Sequence, residues 1–232
     1  AVVRGEHGNF KQGGNKYAVV CMDRATDLGF IDFIRRKSDL EACLRRMQRH
    51  METQAKKSKE YNGTKIELGA WVSDQDANMT SAKAVAMFLK DRIEHVQAAA
   101  DAKNQTPRLD RYIRHLNHVT ARWLDDAGLP LELWEVAMRH AVDVTNHRGS
   151  TSHPLKHSPH RRWTGMPTNT ATFVVFGADA YPYHDKEKRP RKSKIEPTSP
   201  GGEGRYRYIG RGRHIGGSSL DKAHLVLDTV EG

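Results

Sequence analysis

Apolar positions along the chain follow two periods, and the change between them marks out the elements. Tyr17-Ala18-Val19-Val20-Cys21-Met22 is a continuous apolar run and predicts a strand over about 16–23. Gly29 to Arg35, with Phe30, Ile31, Phe33 and Ile34 apolar, predicts a second strand. Leu40, Leu44, Met47 and Met51 then recur at helical spacing, and Ser38 with Glu41 has the form of a capping box opening that helix. Asn62-Gly63 marks its end. Ile66, Leu68, Ala70 and Val72 alternate with other residues and predict a strand over 65–73.

A helix near 80–91 follows, capped by Thr80 or Ser81, with Val85, Phe88 and Leu89 expected inward. A short strand is expected over Ile93 to Gln97. Thr106-Pro107 opens and Gly128 closes a long helix of about 107–127, whose inner seam is Leu109, Ile113, Leu116 and Thr120. The next helix, about 131–147, carries Leu133, Trp134, Ala137, Met138 and Ala141. Strand, strand, helix, strand, helix, strand, helix predicts an α/β fold, and the order suits one of the ribonuclease-H-like kind. A third hairpin strand is expected within 26–37.

The flanking segments read differently. Residues 1–14 are polar and Gly-rich and are expected to be loose. From 148 to 170 His, Pro, Ser, Thr and Arg dominate without a hydrophobic period. Residues 173–183 and 205–230 hold short strand-like runs with Gly turns, enough for a small β module. Within it, Arg205-Tyr206-Arg207-Tyr208 alternates so that arginines and tyrosines occupy opposite faces. The division is therefore a loose 1–14, a core over 15–148, a connector over 149–172 and a module over 173–232.

Charge sharpens this picture. The 232 residues carry a formal net charge of +10. Arg148 to His214 contains fourteen Lys and Arg against five Asp and Glu, so nearly all the excess lies in the last third. Its densest part is a loop at 186–194 with Lys186, Lys188, Arg189, Arg191, Lys192 and Lys194. Such a surface suits a phosphate backbone, and a loop of this density also fits a nuclear localisation signal. Cys21 and Cys43 are two only, each in an apolar pattern, and are expected to be buried reduced thiols rather than a disulfide framework or zinc ligands. His147, His153, His157 and His160 have no cysteine beside them and are expected to add pH-dependent charge rather than bind metal. No apolar run approaches the ~20 residues of a membrane span.

The candidate chemistry lies in three acids. Asp23 ends the first strand, Asp74 ends the strand at 65–73, and Asp110 sits in the first turn of the long helix. Thirty-five residues separate Asp74 from Asp110. Carboxylates at two strand ends and one helix start can converge on two divalent ions, the arrangement that drives in-line displacement at phosphorus. One turn beyond Asp110, Arg114 shares its helix face, and His118 extends the row beside Arg111.

Several short stretches carry a resemblance in the same order. They are Asn15-Lys-Tyr-Ala-Val-Val-Cys-Met-Asp23, Val72-Ser-Asp74, Leu109-Asp-Arg-Tyr-Ile-Arg114, Ala127-Gly-Leu-Pro-Leu-Glu-Leu-Trp-Glu-Val-Ala137, Arg161-Arg-Trp-Thr-Gly-Met-Pro167 and Val175-Phe-Gly-Ala-Asp-Ala-Tyr181. Together they resemble the integrases of Copia-type retrotransposons, from about residue 13 onward. The resemblance implies a ribonuclease-H-like catalytic core followed by an SH3-like module, cut from a longer polyprotein. It implies two Mg²⁺ or Mn²⁺ ions held by Asp23, Asp74 and Asp110. Double-stranded DNA (element ends and target) would be the partner, bound by a homo-oligomer in the nucleus after import from the cytoplasm. It also implies DNA contacts at Arg111, Arg114, His118, the basic loop, Arg205 and Arg207. Two positions depart from the family: the third acid is Asp rather than Glu, and Asp74-Gln75-Asp76-Ala77-Asn78 replaces Asp-Asn-Gly-Gly-Glu. A catalytically decayed nucleic-acid-binding remnant and a ribonuclease-H-like nuclease that only hydrolyses remain alternatives.

Overall fold

A computed structural model describes residues 2–4, 14–56, 68–73, 79–97, 107–149, 156–168, 170–180, 206–211 and 224–228. The fold is mixed α/β with three small sheets. Strand β1 (Val2–Arg4), β2 (Tyr17–Met22) and β3 (Gly29–Ile34) form an antiparallel sheet in that order, with β2 in the middle. Val2 pairs with Val19 on one edge of β2, and Val20 pairs with Ile31 on the other. The third strand of this sheet thus comes from residues where a loose segment was expected. The described part of 26–37 contains only β3 and a single 3₁₀ turn at Lys37–Asp39.

The unbroken apolar run of β2 has a physical reason. Side chains alternate across a strand, and both faces of this one are covered. Val19 and Cys21 face one core with Phe30 and Ile34, while Ala18 and Val20 face a second with Phe33. Helix α1 (Leu40–Lys56) closes the first core with Leu40, Cys43, Leu44, Met47 and Met51. Its entry is secured by Asp39, whose carboxylate accepts from the Arg36 N–H at 3.0 Å. Glu41 pairs with Arg45 instead, so the expected Ser38–Glu41 box gives way to a cap centred on Asp39.

Strand β4 (Ala70–Ser73), helix α2 (Ala82–Lys90) and strand β5 (Glu94–Gln97) form a strand–helix–strand unit with parallel strands. Ser81 caps α2, its hydroxyl accepting from the Ala84 N–H at 3.3 Å. The buried stripe of α2 is Ala84, Met87 and Phe88. Val85 at 42 % exposure and Leu89 at 75 % lie off it, which corrects the expectation that both point inward. Ala84, one turn before Phe88, shares its face, and Met87 flanks it.

Helix α3 (Pro107–Asp126) and helix α4 (Trp134–His147) close the second core. Leu116, Thr120 and Leu124 are the buried seam of α3, and Leu133, Trp134, Ala137, Met138 and Ala141 come from α4 and the turn before it. Burying the leucines and Met138 of this set contributes about 1.5–3 kcal/mol each. Gly128, at φ +61°, ends α3 as the sequence predicted. Asn15 anchors the start of β2, its backbone and side-chain amides donating to the Glu135 carboxylate at 3.2 and 3.0 Å.

A short helix α5 (Pro159–Thr164) and the antiparallel pair β6 (Tyr206–Arg211) and β7 (His224–Asp228) complete the described chain. Tyr208 and Ile209 are buried, and His140 of α4 sits among Trp123, Phe176 and Tyr208 with ring centroids 5.3–5.8 Å away. No closed barrel forms among the described residues. Cys21 and Cys43 are buried free thiols, and burial pushes Cys21 up to about 11.

Candidate functional site

Asp23 follows the last residue of β2 and organises the turn into β3. Its Oδ2 accepts from both the backbone N–H and the hydroxyl of Thr26, each at 2.7 Å. Its N–H donates to the Leu28 carbonyl and its own carbonyl accepts from Asp27, both at 2.9 Å. Side-chain capping of this kind is common for Asp in turns. The second oxygen, Oδ1, has no hydrogen bond among the described residues.

Asp27 occupies the tip of the same turn at φ +61°, a left-handed conformation that Asp tolerates better than most residues. Its Oδ2 accepts from Arg162 Nη2 of α5 at 2.9 Å. Its Oδ1 meets Arg108 Nη2 of α3 in an ionic contact without the alignment of a good hydrogen bond. One carboxylate therefore holds guanidinium groups from two helices. Asp27 and Arg108 were not singled out in the sequence, and Arg162 appeared there only within the stretch 161–167, with no role of its own.

Gly29, at the start of β3, is held on both sides. Asn146 of α4 accepts from its N–H and donates to its carbonyl, both at 2.8 Å. Tyr112 of α3 packs over it so closely that a Cβ there would lie 2.1 Å from the phenol oxygen. Both neighbours are distant in sequence, so no spacing signal announces them.

Asp110 is exposed in the first turn of α3. A carboxylate there also complements the helix dipole. Arg111, Arg114 and His118 are exposed on the outer side of α3, and Arg111 Nε donates to the Pro107 carbonyl at 3.2 Å. Asp74 lies outside the described residues, directly after Ser73. Ser73 Oγ and His95 Nε2 are 2.8 Å apart, and His95 stacks on Phe88 at 4.6 Å, so the end of β4 is anchored across the sheet. Among the described residues no three His, Cys, Asp or Glu side chains form a metal-binding group. With Asp74 outside them, that count leaves the three-acid arrangement an expectation.

The basic residues divide. Lys186, Lys188, Arg189, Arg191, Lys192, Lys194 and Arg205 lie outside the described residues. Arg207 is engaged, pairing with Asp179 at 2.9 Å and donating to the Gly177 carbonyl at 3.1 Å. Of the four histidines at 147–160, His153 lies outside the described residues. His147 and His160 stack with centroids 4.3 Å apart, and the His147 Nδ1–H donates to the Asp143 carbonyl at 2.8 Å.

This stack makes the fold acid-sensitive. Burial, reinforced by the neighbouring His147 and opposed by Asp143, holds His160 down to about 4, and burial also lowers His95 and His140. A histidine depressed in the native state binds its proton in the unfolded chain first. Stability is therefore complete above about pH 6.5 and falls as pH drops from there toward 4. Melting temperature should fall by several degrees between pH 7 and pH 4.5. His160→Phe, which keeps a ring against His147, should flatten that decline; an unchanged profile would remove His160 as a cause.

The chain matches no known family model and no curated protein sequence.

Proposed function

We propose that this chain is the integrase core of a Copia-type retrotransposon, joining 3′ ends of element DNA to target DNA by two-metal phosphoryl transfer. On this reading a ribonuclease-H-like core over 15–148 is followed by an SH3-like module. The observation that carries it is the pairing of two acid-bearing elements. Asp23 follows the central strand with no hydrogen bond to Oδ1 among the described residues, Asp110 is exposed in the first turn of α3, and Asp27 ties the turn to that helix through Arg108. The donor set is all carboxylate oxygen, which fits hard divalent cations. Asp23, Asp74 and Asp110 would hold two Mg²⁺ or Mn²⁺ ions. When bound, these activate the attacking oxygen and stabilise the departing one. The chain's own contribution is positioning. Thr26 fixes one oxygen of Asp23 and so orients the other, while Arg111, Arg114 and His118 offer cationic contacts to DNA phosphates along the exposed side of α3.

A second reading, a decayed nucleic-acid-binding remnant, is favoured by Asp at position 110 and by the capture of Asp23 Oδ2 in its turn. Joining of a labelled DNA end to a plasmid with and without Mg²⁺ decides between them. Metal-dependent joining supports the integrase. Binding without chemistry indicates the remnant, and cleavage without joining indicates a hydrolytic nuclease of the same fold.

The basic loop sets a separate expectation. Each phosphate neutralised on duplex DNA contributes roughly −0.9 to the slope of log affinity against log salt. Deleting 186–194 should flatten that slope by several units and weaken all sequences alike. An unchanged slope would place the DNA surface along Arg111 and Arg114 and leave the loop to nuclear import.

A further inference from the structure

We propose that Asp27 is the positioning residue of the acidic site: by pairing with Arg108 and Arg162 together, it fixes the turn carrying Asp23 against the helix start carrying Asp110. The proposal rests on the metal-binding reading of Asp23 and Asp110.

Three observations support it. First, the Arg162 arm of the clamp is not an ordinary surface ion pair, whose contribution is small, whereas Arg108 on the other arm is 55 % exposed. Arg162 is only 12 % exposed, Asp27 is 24 % exposed, and Arg162 Nε is buried without a partner. Removing the Asp27 charge would strand a largely buried guanidinium, so the pair resists exchange with water. Second, the carboxylate is shared between α3 and α5, elements with no other described link to the turn at 23–27 through charge. Arg162 donates one hydrogen bond through Nη2, and Arg108 meets the other oxygen by charge alone. Third, movement of Asp27 is transmitted directly. Its N–H bonds the Asp23 carbonyl at 2.9 Å, and Thr26, between them, holds Asp23 Oδ2. If the tip swings, the Asp23 carboxylate turns with it.

Asp27 touches no reacting group on this reading; it acts through Asp23. Its loss should therefore slow the chemical step rather than DNA binding. A misplacement of ~1 Å costs on the order of a hundredfold in rate. Asp27→Asn should lower kcat for joining by about ten- to a hundredfold, with KM for DNA changed less than about twofold. It should also raise the Mn²⁺ concentration at half-saturation, read by electron paramagnetic resonance without any turnover.

A distance measurement tests the clamp independently. Nitroxide labels at Arg24→Cys and Arg111→Cys, both exposed positions, report the separation of the turn and α3; the native thiols are buried. A narrow distribution that Asp27→Asn broadens supports the proposal, and one it leaves unchanged overturns it. Arg108→Met, at a side chain 55 % exposed, gives a milder variant if Asp27→Asn fails to fold, and it should broaden the distribution in the same direction. If the unaltered chain takes up no Mn²⁺, the metal reading falls and the label distances alone decide the clamp.

Discussion

Asp23→Asn is expected to abolish metal-dependent DNA joining, by on the order of a thousandfold or more, while leaving DNA affinity within about twofold. The substitution is unusually clean here. Thr26 donates twice to Asp23 Oδ2, and an asparagine carbonyl oxygen can accept both bonds, so the turn survives. What changes is the other atom, from an anionic oxygen to an amide nitrogen that cannot ligate a divalent cation. The Arg–Asp27 contacts at the tip do not involve this oxygen and should persist. Joined product, DNA affinity and melting temperature should be measured on one preparation. Activity within tenfold of the unaltered chain would reduce Asp23 to a turn former and sink the metal-centre reading.

Gly29→Ala is expected to cost about 3 kcal/mol of stability. The backbone conformation at Gly29 is ordinary, so the cost is one of space. A Cβ would meet the Tyr112 oxygen at 2.1 Å and ring carbons at 2.6 and 2.9 Å. Tyr112 is itself largely buried, with its hydroxyl unpartnered, and burial holds its ionisation well above the usual phenol range. Backing away is blocked on the other side, because Asn146 grips both the N–H and the carbonyl of Gly29. Tm should fall by roughly 6–12 °C. Tyr112→Phe removes only the oxygen and should not relieve the clash. Tyr112→Leu removes the ring edge, so the double variant should be more stable than the sum of the two losses by about 1 kcal/mol or more. Simple additivity would mean that the strand, not the tyrosine, absorbs the strain.

These two positions show what the sequence made legible and what it did not. The doubly buried strand at 17–22 was readable because burial on both faces leaves an apolar run. The seams of α1, α3 and α4 were readable because their periods are long. Asp23 and Asp110 stood out because strand ends and helix starts are visible from pattern. The rest depended on partners far away in the chain. Arg162 lies 135 positions from Asp27 and Asn146 lies 117 from Gly29, and neither spacing leaves a local trace. The α2 phase failed for a related reason: nine residues with apolar side chains around much of the circumference do not fix an inner face, and packing against Phe88 did. The capping box failed because Asp39, one residue after Ser38, reached the free amide at Arg36 first.

The pairing of Val2–Arg4 with β2 has a consequence for how the chain can be handled. Those three residues pair with the first half of one edge of the central strand, Tyr17 to Val19. Trimming them would expose the amides and carbonyls that Tyr17 to Val19 direct to that edge of an apolar strand, a template for any other extended chain. Protein cut just before Asn15 should then recruit a neighbour's strand and self-associate, so the opening residues serve as a built-in chaperone for the sheet as well as part of it.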